Sequence, residues 1–484
     1  MRLKISISEG GFIMDAGSYQ TGFFITELNI DIELLNQYKE MAVQYIALSQ
    51  FTQKFMTQKA VMSLDIDMQR KLKENSDSFL KPYKDAIEKI ATFLHEYIHF
   101  LQDISTLTGL TIIDLCSKKI QTAMNIVAKS EGSEEKSIIL PLQECSSKII
   151  EACSNYYSIF RGSSSNLTFK KLHHYNRFYI TSDECLEILS DEDPIMYPKD
   201  ILESLHEIKV VFNDGKDEYQ LGSYIISESM AYLFESTVFN AEKRNNQYPY
   251  NICEMIVNKE CPAIAENRYL ILAICELSLM HEHSGEMFYN IIEEIKEKKL
   301  SFKNVSEFEK YFLPRITHLS KSLEYKYQHS IIPDIDFLYP GIQQFNTLNH
   351  QIKHMISVGI RLRRSGLFIA KAAENSNRNG EINIWFEKCG IPLIIDSTNS
   401  TFSTTAFDNL SFSILCPKAL DKLLFEHEKK CFMFNICQMQ KESNVCFDKK
   451  ICSQEPWTQT DKERICPLAT YLYHYSIDWK QIIK

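Results

Sequence analysis

Residues 93–103 read FLHEYIHFLQD, and inside them His95, Glu96 and His99 form the pattern His-Glu-x-x-His. On an α-helix, positions i and i+4 share a face. His95 and His99 can therefore each offer one ring nitrogen to the same metal ion, with Glu96 beside them to take a proton from a metal-bound water. The chemistry such a trio can do is hydrolysis by an activated water. In a chain of this composition, random ordering gives on the order of 0.03 occurrences of the motif. Two histidines packed on a buried helix for structure alone would still need polar partners. The metal reading is the stronger one.

A catalytic zinc site needs a third protein ligand and one open position. Glu228, in SYIISESMAYLFE, lies on a predicted helix among Ile225, Ile226, Met230, Leu233 and Phe234. A buried carboxylate without compensation is costly, and a metal relieves that cost. Small neighbours (Ser227, Ser229, Ala231) would let this helix approach another closely. Asp103, His173, His174 and His206 are the competing ligands, and Asp103, one turn beyond His99, is also placed to orient its imidazole. The positions three and six beyond His99 are Gln102 and Ser105, not the glycine and histidine of a metzincin. The chain instead resembles the gluzincins, zincin-fold zinc metallopeptidases with a glutamate ligand on a later helix. That resemblance implies one catalytic Zn2+ held by His95, His99 and Glu228, with Glu96 as general base. For transition-state donors, Tyr232, His206, His281 and His283 all stay open. HEHSGE at 281–286 is no second site, since its histidines are two apart.

The elements that must position these groups follow from periodicity. Ile87, Ile90, Leu94, Ile98 and Leu101 recur every three or four residues, and Phe93, Tyr97 and Phe100 make the opposite side apolar. This predicts a buried helix over about 82–108, begun near Pro82 and ended at Gly109. The third-ligand helix is predicted over about 223–241. Residues 1–30 suggest a short strand or two, and 32–129 is helical in period. A helix is expected around LQECSSKIIEACSNYYSIF and a loop at 161–177. A hairpin is expected where EIKVVF and DEYQ flank Asn213-Asp214-Gly215. Helices at 263–283, a small one from SEFEKYF, and a long one over about 346–374 come next. INIWFEKCGIPLII leans towards β. HSIIPDIDFLYPGIQQ (329–344), with two prolines and a glycine, reads as a linker. The expected class is α+β and predominantly helical. A zincin-like catalytic domain (1–328) would precede a smaller Cys-rich C-terminal domain (345–484).

The 484 residues carry a net charge of −10 with no long basic cluster, which argues against a nucleic-acid partner. No signal-peptide run opens the chain, and the most apolar stretch, YLILAICELSLM, is short and holds Glu276, so no membrane span is expected. Fourteen cysteines without a secretion signal read as reduced thiols or metal ligands, not disulfides, in a cytoplasmic protein. Six of them (Cys416, Cys431, Cys437, Cys446, Cys452, Cys466) crowd the tail without a CxxC pair. They read as buried apolar residues in preference to a second metal site, although Cys466-Pro467 resembles the Cys-Pro end of some iron–sulfur motifs. The expected activity is zinc-dependent hydrolysis of a peptide bond in a cytosolic protein or peptide. The alternative is a non-catalytic metal-binding or redox-sensing interaction protein.

Overall fold

The computed structural model describes residues 17–29, 76–130, 138–142, 147–162, 178–184, 206–212, 217–239, 249–341, 345–375, 378–402, 411–426, 430–439, 447–461, 466–475 and 482–483. Strands β1 (Gly17–Gln20) and β2 (Ile25–Leu28) form a hairpin, and α1 (Ser76–Ser105), α2 (Leu107–Ser130), β3 (Ile138–Ile139) and α3 (Lys148–Arg161) follow. An antiparallel meander of β4 (Phe178–Glu184), β5 (His206–Phe212) and β6 (Asp217–Gln220) leads into α4 (Ser223–Phe239). Then come α5 (Ile252–Glu260), α6 (Pro262–Ala265), α7 (Arg268–Leu279), α8 (Ser284–Glu297) and α9 (Val305–Lys326). Next are α10 (Ile332–Leu338), α11 (Asn346–Arg364), α12 (Phe368–Glu374) and α13 (Arg378–Cys389), with strands β7 (Leu393–Ile395) and β8 (Thr401–Phe402). The tail holds α14 (Ser411–Phe425), α15 (Phe434–Met439), α16 (Lys449–Gln454), α17 (Pro467–His474) and β9 (Ile482–Ile483), which pairs with β3. The architecture is predominantly helical, as the periodicity predicts. No helix among the described residues is long and apolar enough to cross a membrane.

The motif helix α1 runs through the core, against α2, α4 and α11. Ile98, Phe100, Leu101 and Ile104 are fully buried. Each such side chain stabilises by roughly 1.5–3 kcal/mol, against ~0–1 kcal/mol for an exposed ion pair, so apolar packing fixes the motif in space. Helix α11 crosses α1 where Gly359 lies on the Ile104 carbonyl. A Cβ there would sit 2.4 Å from that oxygen, so the crossing depends on glycine. Beside this crossing lies a fully buried ion pair. Arg363 donates to Glu276, and its Nε and Nη2 donate to the Ser105 carbonyl (2.8 Å) and hydroxyl (3.1 Å). Glu276 also accepts from the backbone of Ile369 (3.0 Å) and Ala370 (2.7 Å). One pair thus ties the end of α1 to α7, α11 and α12.

Gly109 does not end the motif helix. The helix ends at Ser105, and Thr106 caps the next one, its hydroxyl accepting from the Gly109 N–H at 3.0 Å. Gly109 is needed because α2 folds back so tightly that a Cβ would lie 2.3 Å from the Asp103 Cα. The segment read as a linker is helical through Leu338, a π-helical turn at Tyr327–Ile331 running into α10, with Ile331, Ile335 and Leu338 buried. Helix α9 is 22 residues long, not a short one. The long helix over 346–374 breaks at Gly366, whose φ is +98°. INIWFEKC is helical, because Ile382, Trp385 and Cys389 form a buried helical stripe; only Leu393–Ile395 is strand. That strand pairs in parallel with β2 in the sheet β1-β2-β7-β8, with β1 and β8 at its two ends among the described residues. Residues 32–75 and 163–177 of the expected helical and loop stretches lie outside the described residues.

Candidate metal centre

Helices α1 and α4 pack face to face and bring the three expected ligands together. His95, His99 and Glu228 each present one ligand atom, and these atoms all lie within 4.8 Å of one another. The His95 Nε2 is 3.3 Å from one Glu228 oxygen, and the His99 Nε2 is 3.6 Å from the other. Both histidines therefore turn the same nitrogen towards the carboxylate.

The remaining ring nitrogens are held from behind. His95 Nδ1 lies 3.2 Å from a Glu235 oxygen, and His99 Nδ1 lies 2.8 Å from Gln102 Oε1. Gln102 is itself fixed, its Nε2 donating to the Ser227 carbonyl at 3.2 Å. Acceptors on both Nδ1 atoms select the Nδ1–H tautomer and leave Nε2 lone pairs for a metal. Neither Glu235 nor Gln102 is apparent as a site residue from the motif alone. Glu235 could have been found, since it follows Glu228 by seven positions and so shares its helix face, inside an equally apolar run. Asp103 does not orient His99. It accepts from the Gly22 N–H at 2.7 Å and so anchors the β1–β2 turn, which places Tyr19 with its ring stacked on His99 at 6.4 Å.

The electrostatics are those of a site built for positive charge. Burial by itself would lower the His95 pKa, but the carboxylates of Glu228 and Glu235 outweigh it and lift it to about 10. His99 is likewise raised, burial being overcome by the Glu228 charge. Burial pushes Glu228 up, yet the two histidines bring it well below the usual carboxylate range. Metal uptake needs neutral rings, so it competes with the proton that Glu228 and Glu235 favour on His95. Glu96, buried beside the ligands and packed against Gly17 of β1, is raised by burial, which the charges of His95 and His99 only partly offset. The Glu228 side chain keeps 19% exposure against 9% and 8% for His95 and His99, so solvent reaches the ligand set from the Glu228 side.

Of the other candidates, His173 and His174 lie outside the described residues, as does the side chain of His206 on β5. His281 and His283 sit in the α7–α8 turn, where Thr108 donates to the His281 carbonyl and Tyr156 faces His283. Tyr232 is buried against Tyr250, and Tyr250, unexpected from the sequence, sets its ring edge-on to His95 at 5.8 Å. Comparison with protein-family models, with curated proteins and with solved structures finds no match, so the geometry alone carries the functional reading.

A ranking of substitutions follows from these contacts. Glu228→Gln removes a charged ligand and should weaken metal binding most. Glu235→Ala leaves His95 Nδ1 without its carboxylate and should cost ~10–100-fold in affinity. Asp103→Asn, whose contact is with Gly22, should cost less than either. Competition titration against a chromogenic chelator measures all three, and Asp103→Asn as the most damaging change would contradict this ligand set.

Proposed function

We propose that the chain is a zinc-dependent peptidase of the gluzincin kind, acting on a protein or peptide substrate in the cytoplasm. The observation that carries the proposal is the convergence of His95, His99 and Glu228, each histidine backed on its far nitrogen. Three protein ligands leave a position free, which is how catalytic zinc sites differ from closed structural ones. This favours hydrolysis over a purely structural or sensing metal. Zinc held by these residues would supply Lewis acidity, lowering the pKa of water towards neutrality and polarising the scissile carbonyl.

The chain's own groups do the rest. Glu96 takes a proton from the attacking water as oxygen adds to the carbonyl carbon, then gives it to the amine nitrogen as the C–N bond breaks. One water is consumed, and a carboxylic acid and an amine leave. The burial that raises the Glu96 pKa suits a group that must both accept and return a proton. Gln102 and Glu235 hold the two rings in register, and Tyr250 brings a phenol beside the ligand set.

Incubation of the purified chain with a proteome-derived peptide library, read by mass spectrometry, tests the proposal. New termini should appear with wild-type protein, vanish with 1,10-phenanthroline, return on adding zinc and be absent with His95→Ala. A zinc-loaded chain that cuts nothing, or cleavage indifferent to the chelator, would refute it.

A further inference from the structure

Helix α4 is buried along most of its length, and the exceptions near the metal site fall on one stripe. From Ser223 to Ser236 only Tyr224, Ser227 and Glu228 are half-buried, and these three positions share a face. The stripe leads from the start of the helix to the metal ligand, on the side from which solvent reaches Glu228. At its outer end Arg161, the last residue of α3, holds its guanidinium 4.7 Å from the centre of the Tyr224 ring. The backbone builds this placement. A Cβ on Gly222 would lie 2.4 Å from the Arg161 carbonyl, and one on Gly162, whose φ is +73°, would lie 2.6 Å from the Gln220 carbonyl oxygen. Two glycines thus press the end of α3 onto the start of α4 and fix where the arginine emerges.

We propose that Arg161 selects the substrate by receiving a carboxylate of the peptide chain close to the scissile bond. That carboxylate is the C-terminus of the peptide or the side chain of an aspartate or glutamate. The inference rests on the peptidase reading of the His95 site and adds a substrate class to it.

An arginine stacked on an aromatic ring meets it with the face of the guanidinium. The N–H fork then lies at the rim, where it matches a carboxylate through two parallel hydrogen bonds. The Tyr224 face attracts the cation and holds its plane in one orientation. Reach fits as well. Helix α4 rises about 6 Å from Tyr224 to Glu228, and an extended peptide covers about 3.3–3.6 Å per residue. A chain lying along the stripe with its scissile carbonyl at the metal brings a group about two to three residues away to Arg161. A stack that served only to clip α3 to α4 would affect stability and leave selectivity alone, so the two roles separate by measurement.

The test takes a peptide that the zinc-loaded full chain cuts and varies only its charges. The free acid is compared with the C-terminal amide, and Glu or Asp with Gln or Asn at each position within about three residues of the cut. The carboxylate form should have a KM ~10–100-fold lower with kcat little changed, since the contact is made in ground and transition states alike. Whichever pair separates identifies the terminus or the side chain as the ligand. Arg161→Gln should remove the difference while keeping its zinc, and Arg161→Lys, which retains the charge without the fork, should keep part of it. The wild-type comparison needs no substitution, so it decides the matter even where a variant misfolds. Equal KM for every charged and neutral pair, or a preference that survives Arg161→Gln, would overturn the proposal and leave the peptidase reading standing. A zinc-loaded chain that cuts no peptide would overturn both.

Discussion

Glu96→Gln is expected to fold, to keep its metal, and to lose peptide cleavage by ~10²–10⁴-fold. Gln preserves size and hydrogen-bonding shape, and Glu96 stands beside the three ligands without being one of them. What the amide cannot do is take up the water's proton and return it to the leaving amine. Turnover measured on a peptide identified from the library, alongside the metal content of both proteins, separates the roles. Full activity in Glu96→Gln would remove Glu96 from the chemistry. Loss of metal together with activity would make it a ligand or a structural support instead.

Arg363→Met should cost ~3–5 kcal/mol of stability, the largest effect of any single change away from the site. Arg363 and Glu276 have no exposed surface, and the methionine leaves Glu276 as a buried charge whose remaining partners are backbone donors at Ile369 and Ala370. It also removes the two bonds that hold Ser105, the last residue of the helix carrying His95 and His99. Adding Glu276→Gln should recover part of the loss, because the uncompensated charge is then gone. Denaturant unfolding of the three proteins measures this. A loss below ~1 kcal/mol for Arg363→Met would show that the pair is not the clamp its geometry indicates.

What could be read from sequence follows how local each feature is. His95, Glu96 and His99 lie within five residues of one another on a helix, so their shared face is fixed by the 3.6-residue period. Glu228 was within reach because a carboxylate among apolar neighbours demands compensation, although only the fold shows that α4 lies against α1. The same argument applied to Glu235 and would have found it. Gln102 is visible in sequence only as a departure from the metzincin pattern, and its hold on His99 Nδ1 depends on where α4 places the Ser227 carbonyl. The pairing of Glu276 with Arg363 spans 87 residues, and nothing local says which two charges will meet. Ile382, Ile384, Trp385 and Phe386 lean towards a strand by propensity. Packing of Trp385 on Phe234 and Phe368 overrides that preference, and the segment is helical.

The most direct measurement is the metal content of purified protein beside His95→Ala and His99→Ala, by mass spectrometry calibrated to chain concentration. One zinc per chain in the wild type and none in either variant is the result this account predicts, since two remaining ligands hold zinc poorly. Equal zinc in all three proteins, or none in any after zinc is supplied, would contradict it.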